Sequence, residues 1–457
     1  MNSAFASAAK QSRCSSRYNK FATPFGLAMT ISCLLLANPY PDESKAPRLP
    51  IPSSRGQLQR AKFQEGLEVL RVQVDWAAAN ESFGIASVVR EKSGTESLMR
   101  RALRPNPFGS YRARLEDAAT HQAIYHDAIG TGQEFRRLTR AFTFRFPMPA
   151  EGVEFVLTAE NPTTGVMEEV LRQPLSIPAE KEEPLQVEVK SVLAAETTPS
   201  ILVSIYSEGY SYDAKEKFWR DADKAAKSLR QYEFPGAKRM EFQAVFSPSN
   251  LAIGSAQDLG LPVAERDTFL GLYFPYWNKF GRWYHVVYPT RESRYRRAVG
   301  QVAYDYPLVL VDNASYWGIG NFNELTAVPS SHPSFIYLLT HEFGHFFGLN
   351  EEYEGGGPTE LSFSPGITEP WSQNITFDPK NVKWKQFVAE KTPLPTPQSY
   401  WQGGQWGAYL GGYADSEPQH HSHKPGYSCT MESGTKFCPV CRAAIEAKIT
   451  FDLNQAK

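Results

Sequence analysis

Residues 340–345, with the sequence THEFGH, contain two histidines that flank a glutamate at a spacing able to bind a metal. On a helix, His341 and His345 lie one turn apart on the same side, about 6 Å from each other. Two imidazoles placed in this way can each direct a nitrogen at one Zn²⁺ ion. Glu342, beside the pair, is positioned to take a proton from a water activated by that ion. The motif therefore predicts a zinc centre in which Glu342 is a general base.

A catalytic zinc ion needs a third protein ligand and an open fourth position. If the helix continued, Glu351 would stand about 15 Å along the axis from His341 and could not bind the same ion. Gly348 offers a left-handed C-cap at which the chain can fold back. Glu351 follows His341 by ten residues, the interval at which the HExxHxxGxxH pattern has its last ligand. We expect Glu351 to be the third ligand, with Glu352 as the alternative.

Three cysteines near the C-terminus form a second cluster. Cys429 is followed by Met431, and Cys438 and Cys441 form a C-x-x-C pair. The N-terminal residues 1–37 predict a signal peptide and therefore an exported protein, so we expect one disulfide among these three cysteines. A structural zinc site made of three cysteines and a histidine is the alternative. Met431 is a candidate for packing beneath the zinc ligands.

Three histidines, His420, His421 and His423, precede this cysteine cluster. They could supply an oxyanion donor or an alternative third ligand, but we expect exposed loop histidines. Tyr427 is another candidate donor to an oxyanion.

The elements that must position these residues follow from hydrophobic periodicity. Short runs of alternating polar and apolar residues lie at 69–76, 111–115, 142–146 and 153–157. Such runs, separated by turn residues, predict a small β-sandwich over residues 61–178. The next stretch is charged and bracketed by prolines, and we expect a linker over residues 179–198.

The remaining sequence, residues 199–457, has a different pattern. Strand candidates lie at 201–205, 241–246 and 308–311, and a helical apolar face covers 213–229. Apolar residues on both sides of the THEFGH motif predict another helix, which begins near Pro333. This order of strands and helices predicts an α+β domain.

Composition and the N-terminus restrict the classes of function. The 457 residues include 48 Lys and Arg against 49 Asp and Glu, so no basic excess favours nucleic acid as a partner. Residues 1–37 combine basic residues with an apolar run at 25–37 and predict a signal peptide, followed by a flexible lead over 38–60. The apolar run is short for a membrane span. We expect a secreted or periplasmic protein with no membrane span after signal removal.

These motifs together resemble peptidase family M64, which is named for an IgA-cleaving peptidase. The resemblance rests on the HEFGH sequence that runs into Glu-Glu-Tyr at 351–353, on residues 429–431 and on FCPVCR at 437–442. Upstream, residues 111–117, 142–149 and 153–157 resemble the β-sandwich module that precedes the peptidase domain in that family. The similarity extends over roughly residues 65–447.

The resemblance implies a metzincin-like zincin domain and a secreted zinc endopeptidase that acts on protein or peptide substrates. It implies His341 and His345 as zinc ligands and Glu342 as the catalytic glutamate. In the family, an Ala-Asp-Glu-Tyr sequence often ends one residue farther from the second histidine, so Glu351 and Glu352 both stay open as the third ligand. A distant glutamate, as in gluzincin-like folds, is a further possibility. The alternative function is a non-catalytic zinc-binding adhesin with a degenerate zincin domain, and the oligomeric state is open.

Overall fold

The computed structural model describes residues 62–77, 80–91, 94–100, 108–130, 140–161, 164–179, 181–255, 267–274, 287–353, 369–402, 404–412 and 422–453. The predicted signal peptide at 1–37 and the flexible lead at 38–60 lie outside these residues. Within the described part of the chain, no helix combines the length and apolar character that crossing a membrane requires.

The first part of the chain forms two antiparallel sheets, and strands occur at all four positions predicted from the alternation. One sheet has the order β2-β1-β5 and the other β4-β3-β6-β7. Their elements are β1 (Val69–Ala77), β2 (Ser82–Glu91), the short helix α1 (Glu96–Arg100), β3 (Tyr111–Asp117), β4 (Ala123–Ile129), β5 (Arg140–Pro147), β6 (Val153–Glu160) and β7 (Met167–Leu175). Both sheets bury their inward side chains in one hydrophobic cluster.

A six-stranded sheet forms the centre of the second part, in the order β15-β16-β14-β9-β10-β8. Its strands are β8 (Glu188–Leu193), β9 (Ile201–Glu208), β10 (Met240–Phe246), β14 (Tyr306–Val311), β15 (Ile319–Asn321) and β16 (Leu325–Pro329). The four inner strands are parallel, whereas β8 and β15, at the two edges, run antiparallel to their neighbours.

Strand β8 corrects the predicted linker over residues 179–198, because residues 188–193 pair with β10. Val189, Val192 and Leu193 are the apolar residues of this strand, but they do not alternate regularly with polar ones, and Glu188 and Lys190 gave the stretch the charged composition of a linker. Charged side chains are tolerated there because an edge strand is open to solvent on one side.

Alternating side chains of the central sheet enter different cores on its two faces. Leu308 and Leu310 pack with helices α2 (Lys215–Gln231), α4 (Phe335–Phe346) and α5 (Pro439–Leu453), whereas Val309 and Val311 face helix α3 (Glu292–Val299).

The smaller elements are β11 (Gly254–Ser255), β12 (Leu272–Phe274), β13 (Tyr288–Pro289), β17 (Tyr409–Leu410), β18 (His423–Lys424) and the 3₁₀ helices Tyr212–Ala214, Ala237–Arg239, Lys385–Phe387 and Gln398–Tyr400. Strands and helices are thus mixed as the predicted α+β class requires.

A buried group of ion pairs within the sheet β2-β1-β5 lies where this sheet meets the part of the chain built on the central sheet. The carboxylate of Glu91 accepts from the guanidinium groups of Arg71 at 2.9 Å and Arg145 at 3.0 Å. Arg145 also donates to the carbonyl of Tyr304 at 3.0 Å. The side chains of Arg71 and Glu91 are each 2% exposed, so the pairing neutralises charges that have lost their hydration.

We predict that Glu91→Ala lowers the free energy of unfolding by about 3–5 kcal/mol, because it leaves two guanidinium groups buried without their shared carboxylate. Chemical denaturation followed by tryptophan fluorescence measures the change. Glu169→Ala is the control, since that carboxylate is 42% exposed and its removal should cost less than about 1 kcal/mol. Equal effects of the two substitutions would contradict the account of this junction.

Candidate metal centre

Helix α4 carries His341 and His345 one turn apart, as the sequence predicted. The helix lies against the central sheet with Phe343 and Phe346 buried, and this packing orients the opposite side of the helix toward the centre. The two Nε2 atoms are 3.2 Å apart. Both imidazoles therefore direct their Nε2 atoms at the same point in space.

Gly348 ends this helix in the left-handed conformation, with φ of 86°. Its N–H donates to the carbonyl of His345 at 2.8 Å, and the chain then reverses direction. The reversal brings the carboxylate of Glu351 to 3.1 Å from Nε2 of His345 and 3.2 Å from Nε2 of His341. The structure thus brings together the three side chains that the sequence proposed as ligands.

The distances among these three groups suit a small cation. Ligand atoms of His341, His345 and Glu351 all lie within 4.8 Å of one another. Tetrahedral donors about 2.1 Å from one ion would lie about 3.4 Å from each other, close to the separations observed. The Oε2 atom of Glu351 is also buried with no hydrogen-bond partner among the described residues. A bound cation would satisfy that oxygen.

Hydrogen bonds to backbone carbonyls determine which nitrogen of each imidazole is free to bind a metal. The Nδ1 atom of His341 lies 2.9 Å from the carbonyl of Thr430, and that of His345 lies 2.8 Å from the carbonyl of Leu349. Since a carbonyl oxygen can only accept, each Nδ1 must carry the proton. The Nε2 atoms are left with their lone pairs, as metal-binding histidines require.

Electrostatic interactions within the group favour a positive charge at its centre. Burial acts to raise the pKa of Glu351, but the two imidazoles outweigh it and hold that pKa below its ordinary value. Burial likewise lowers the pKa of His345, yet the charge of Glu351 raises it overall, to about 9. The carboxylate is therefore ionised, and a cation would compete with a proton for the imidazoles.

Glu342 is buried on the same helix, next to His341. Burial raises the pKa of its carboxyl, and the charge of Glu351 adds to this, although the two imidazoles act in the opposite direction. Edge strand β15 lies so close that a Cβ atom at Gly320 would overlap the carbonyl oxygen of Glu342. The helix can approach the strand because this position has no side chain.

Sequence reasoning missed two residues that support the third carboxylate. Asn374 is fully buried, donates to the carbonyl of Asn350 at 2.8 Å and accepts from its N–H at 2.9 Å. Tyr353 stacks on the ring of His341, with centroids 6.2 Å apart. The charge of Glu351 is the largest cause that raises the pKa of Tyr353, so this hydroxyl is protonated. The Glu-Glu-Tyr string pointed toward Tyr353, whereas no pattern singled out Asn374.

Met431, His423 and Tyr427 are the other candidates near the C-terminus that the structure describes. Met431 is buried beneath the helix, and a Cβ atom at Gly344 would lie 2.8 Å from its sulfur. His423 is 5% exposed, so the expectation of an exposed loop histidine is wrong for it; its backbone pairs with Thr376. His420 and His421 lie outside the described residues. Tyr427 packs against aromatic rings, and its role as an oxyanion donor stays a prediction.

The expected disulfide is absent among the described cysteines, since Cys429, Cys438 and Cys441 are free and buried. Their sulfur atoms take part in other contacts: Cys429 Sγ accepts from the N–H of Cys438 at 3.3 Å, and Cys441 Sγ donates to Glu352 at 2.9 Å. The alternative ligand Glu352 therefore points away from the histidines and into the cysteine cluster. It replaces the histidine that we had considered as the fourth member of that cluster.

Comparison with known proteins supports the same family that the motifs resemble. Residues 189–405 match the family model described as IgA Peptidase M64. This part of the chain belongs to the M64 family. The matched residues include the central sheet from β9 onward, helix α4 and Glu351. No protein with a curated description matches the chain. Membership of a peptidase family implies hydrolysis of protein or peptide substrates.

We predict that Gly320→Ala in the M64 region lowers the free energy of unfolding by about 1–3 kcal/mol, because the added methyl group forces β15 away from α4. Gly84→Ala is the matched control. A Cβ atom there has no neighbour within 4 Å, so its effect should stay within about 0.5 kcal/mol. Denaturant titration of both variants measures the difference. A Gly320 variant as stable as the Gly84 variant would contradict the close approach.

Proposed function

We propose that the chain is an exported zinc endopeptidase, with Zn²⁺ held by His341, His345 and Glu351 and with Glu342 as the general base. The observation that carries this proposal is the convergence of two imidazole nitrogens and one carboxylate to within 3.2 Å of one another. The match to a peptidase family supports peptide bonds as the substrate.

Zinc is the metal that this donor set suits best. Two neutral imidazoles and one carboxylate form a known class of catalytic zinc site, with a fourth position open for water or substrate. When bound, zinc would supply a Lewis acid that increases the acidity of a water and the electrophilicity of the scissile carbonyl.

Glu342 performs the proton transfers in this proposal. Its carboxylate accepts a proton as water attacks the carbonyl carbon, and then gives that proton to the departing amine as the carbon–nitrogen bond breaks. Burial raises the pKa of this carboxyl above its ordinary value. This shift suits a group that must act first as a base and then as an acid.

The edge of the central sheet is a suitable place for the substrate. Among the described strands, β15 is at this edge, and it packs on the helix that carries Glu342. A peptide in extended conformation can pair with such an edge, so that its backbone crosses the site. Binding along an edge would let the enzyme cut within a chain, as an endopeptidase does.

We further propose the domain organisation and the localisation that follow from the sequence. Residues 1–37 would be a signal peptide that directs the chain out of the cytoplasm. Residues 61–178 would form a β-sandwich, which is supported by two antiparallel sheets that share one core. The region from residue 199 would be a metzincin-like zincin domain, with Met431 packed beneath the ligands.

A non-catalytic binding protein with a degenerate zincin domain is the alternative. Such a protein would need the two histidines for metal but would have no use for Glu342. The carboxyl of Glu342 is buried, and a Cβ atom at Gly318 would overlap it, so both the burial and this glycine favour the catalytic function.

We predict that Glu342→Gln lowers the rate of peptide hydrolysis about 10²–10⁴-fold while the zinc content is unchanged, since the amide cannot accept the proton. Digestion of a broad peptide library measures the rate, and elemental analysis measures the zinc. The control is Glu390→Gln, at an exposed position far along the chain from the motif, which should retain full activity.

Two results would separate the candidate functions. Undiminished hydrolysis by the Glu342 variant would end the proposed mechanism. If the unaltered protein binds zinc yet cleaves no peptide in the library, with or without a chelator, the binding-protein alternative is favoured.

A further inference from the structure

A second group of potential metal ligands lies apart from the histidines. It comprises Cys429, Cys438, Cys441 and Glu352, whose ligand atoms lie within 4.8 Å of one another. All four residues are at most 2% exposed. Four donors that surround one point inside the protein form the closed arrangement of a structural metal site, in contrast to a catalytic one.

Two backbone N–H groups donate to sulfur atoms of this group, as they can to metal-bound thiolates. The N–H of Cys438 donates to Cys429 Sγ at 3.3 Å, and the N–H of Cys441 donates to Cys438 Sγ at 3.5 Å. Cys438 immediately precedes helix α5, and Cys441 lies in its first turn. The positive end of the helix dipole therefore favours negative charge on both sulfur atoms.

Glu352 completes the group and has one oxygen without a partner. Its Oε1 atom is 2.9 Å from Cys441 Sγ and accepts from Asn374 at 3.0 Å. Its Oε2 atom is buried and, within the described part of the chain, has no hydrogen-bond partner. Leaving a buried carboxylate oxygen unpaired costs free energy, and a cation bound to the thiolates would satisfy it.

A nearby lysine offsets the charge that such a site would carry. Three thiolates and one carboxylate exceed the charge of a dication by two. Lys424, whose side chain is 3% exposed, donates to the backbone carbonyl of Glu352 at 2.6 Å. Its ammonium also pairs with Glu432 at 2.7 Å, so it compensates the site only in part.

We infer that Cys429, Cys438, Cys441 and Glu352 bind a structural Zn²⁺ ion, distinct from the ion proposed at His341 and His345. Thiolate donors select soft and borderline metals, and zinc accepts three sulfur atoms and one oxygen in a tetrahedral arrangement.

The place of this site in the fold indicates what the ion would do. Glu352 directly follows Glu351, and its N–H donates to the carbonyl of Met431 at 2.9 Å. Thr430, between Cys429 and Met431, accepts from His341. The ion would thus join the turn after α4 to residues 429–431 and to the start of α5. It would hold the segments that orient both His341 and Glu351.

Metal content of the full chain tests this inference. The unaltered protein should contain two zinc ions per chain. His345→Ala should retain one, and the paired substitution Cys438→Ser and Cys441→Ser should also retain one, at the histidine centre. An organomercurial thiol reagent should release the ion left in the His345 variant, but not the ion left in the cysteine variant. Because the two sites have different ligands, absence of zinc from the histidine centre can be distinguished from absence of zinc at the cysteines.

Three further measurements do not depend on whether the cysteine variant folds. The His345 variant loaded with Co²⁺ should show an intense sulfur-to-cobalt charge-transfer band in the near ultraviolet. Glu352→Gln, introduced into that variant, should retain this band but shift the visible ligand-field bands. Intact-mass analysis after alkylation under denaturing conditions should find all three thiols free once the metal is removed.

Several outcomes would overturn the inference. One zinc ion per chain in the unaltered protein, together with none in the His345 variant, would show that the cysteines bind no zinc. A mass lower by two hydrogens, with two of the three cysteines resistant to alkylation, would show that they form a disulfide instead. Absence of the charge-transfer band in the cobalt-loaded His345 variant would exclude thiolate ligands.

Discussion

The left-handed turn at Gly348 is the constraint on which the candidate metal centre depends. The two histidines are neighbours on any helix, but the third carboxylate reaches them only because the chain reverses within a few residues. Two features restrict this position to glycine: φ is 86°, and a Cβ atom would lie 2.8 Å from the ring of Trp371. Both the backbone conformation and the packing of the next segment therefore require the absence of a side chain.

Backbone carbonyls hold the centre in place as much as side chains do. Thr430 and Leu349 accept from the imidazoles of His341 and His345, and these carbonyls come from segments that fold around helix α4. The loop with Asn374 in turn holds the segment before Glu351. The geometry of the proposed ligands is thus a property of several distant segments rather than of a single loop.

Features that depend on local sequence patterns could be predicted for this molecule, whereas its long-range contacts could not. Alternation located β1, β3, β5 and β6 but not β2, β4 or β7. Helical spacing identified α4 together with His341 and His345, because these features depend only on neighbouring residues. Glu351 could be proposed as the third ligand but could not be distinguished from Glu352. The conformation of the turn after α4 decides which of the two carboxylates faces the histidines. The partners of Glu91 and the role of Asn374 could not be predicted, as they join residues that are far apart in the sequence. The cysteines were misjudged because export suggested a disulfide, whereas the position of Glu352 became known only from the fold.

Anomalous X-ray diffraction from crystals at the zinc absorption edge would locate the proposed ion. We expect an anomalous peak about 2.1 Å from Nε2 of His341, Nε2 of His345 and a carboxylate oxygen of Glu351. A crystal of zinc-containing protein with no peak at this position, or with the carboxylate of Glu351 turned away from it, would contradict the account.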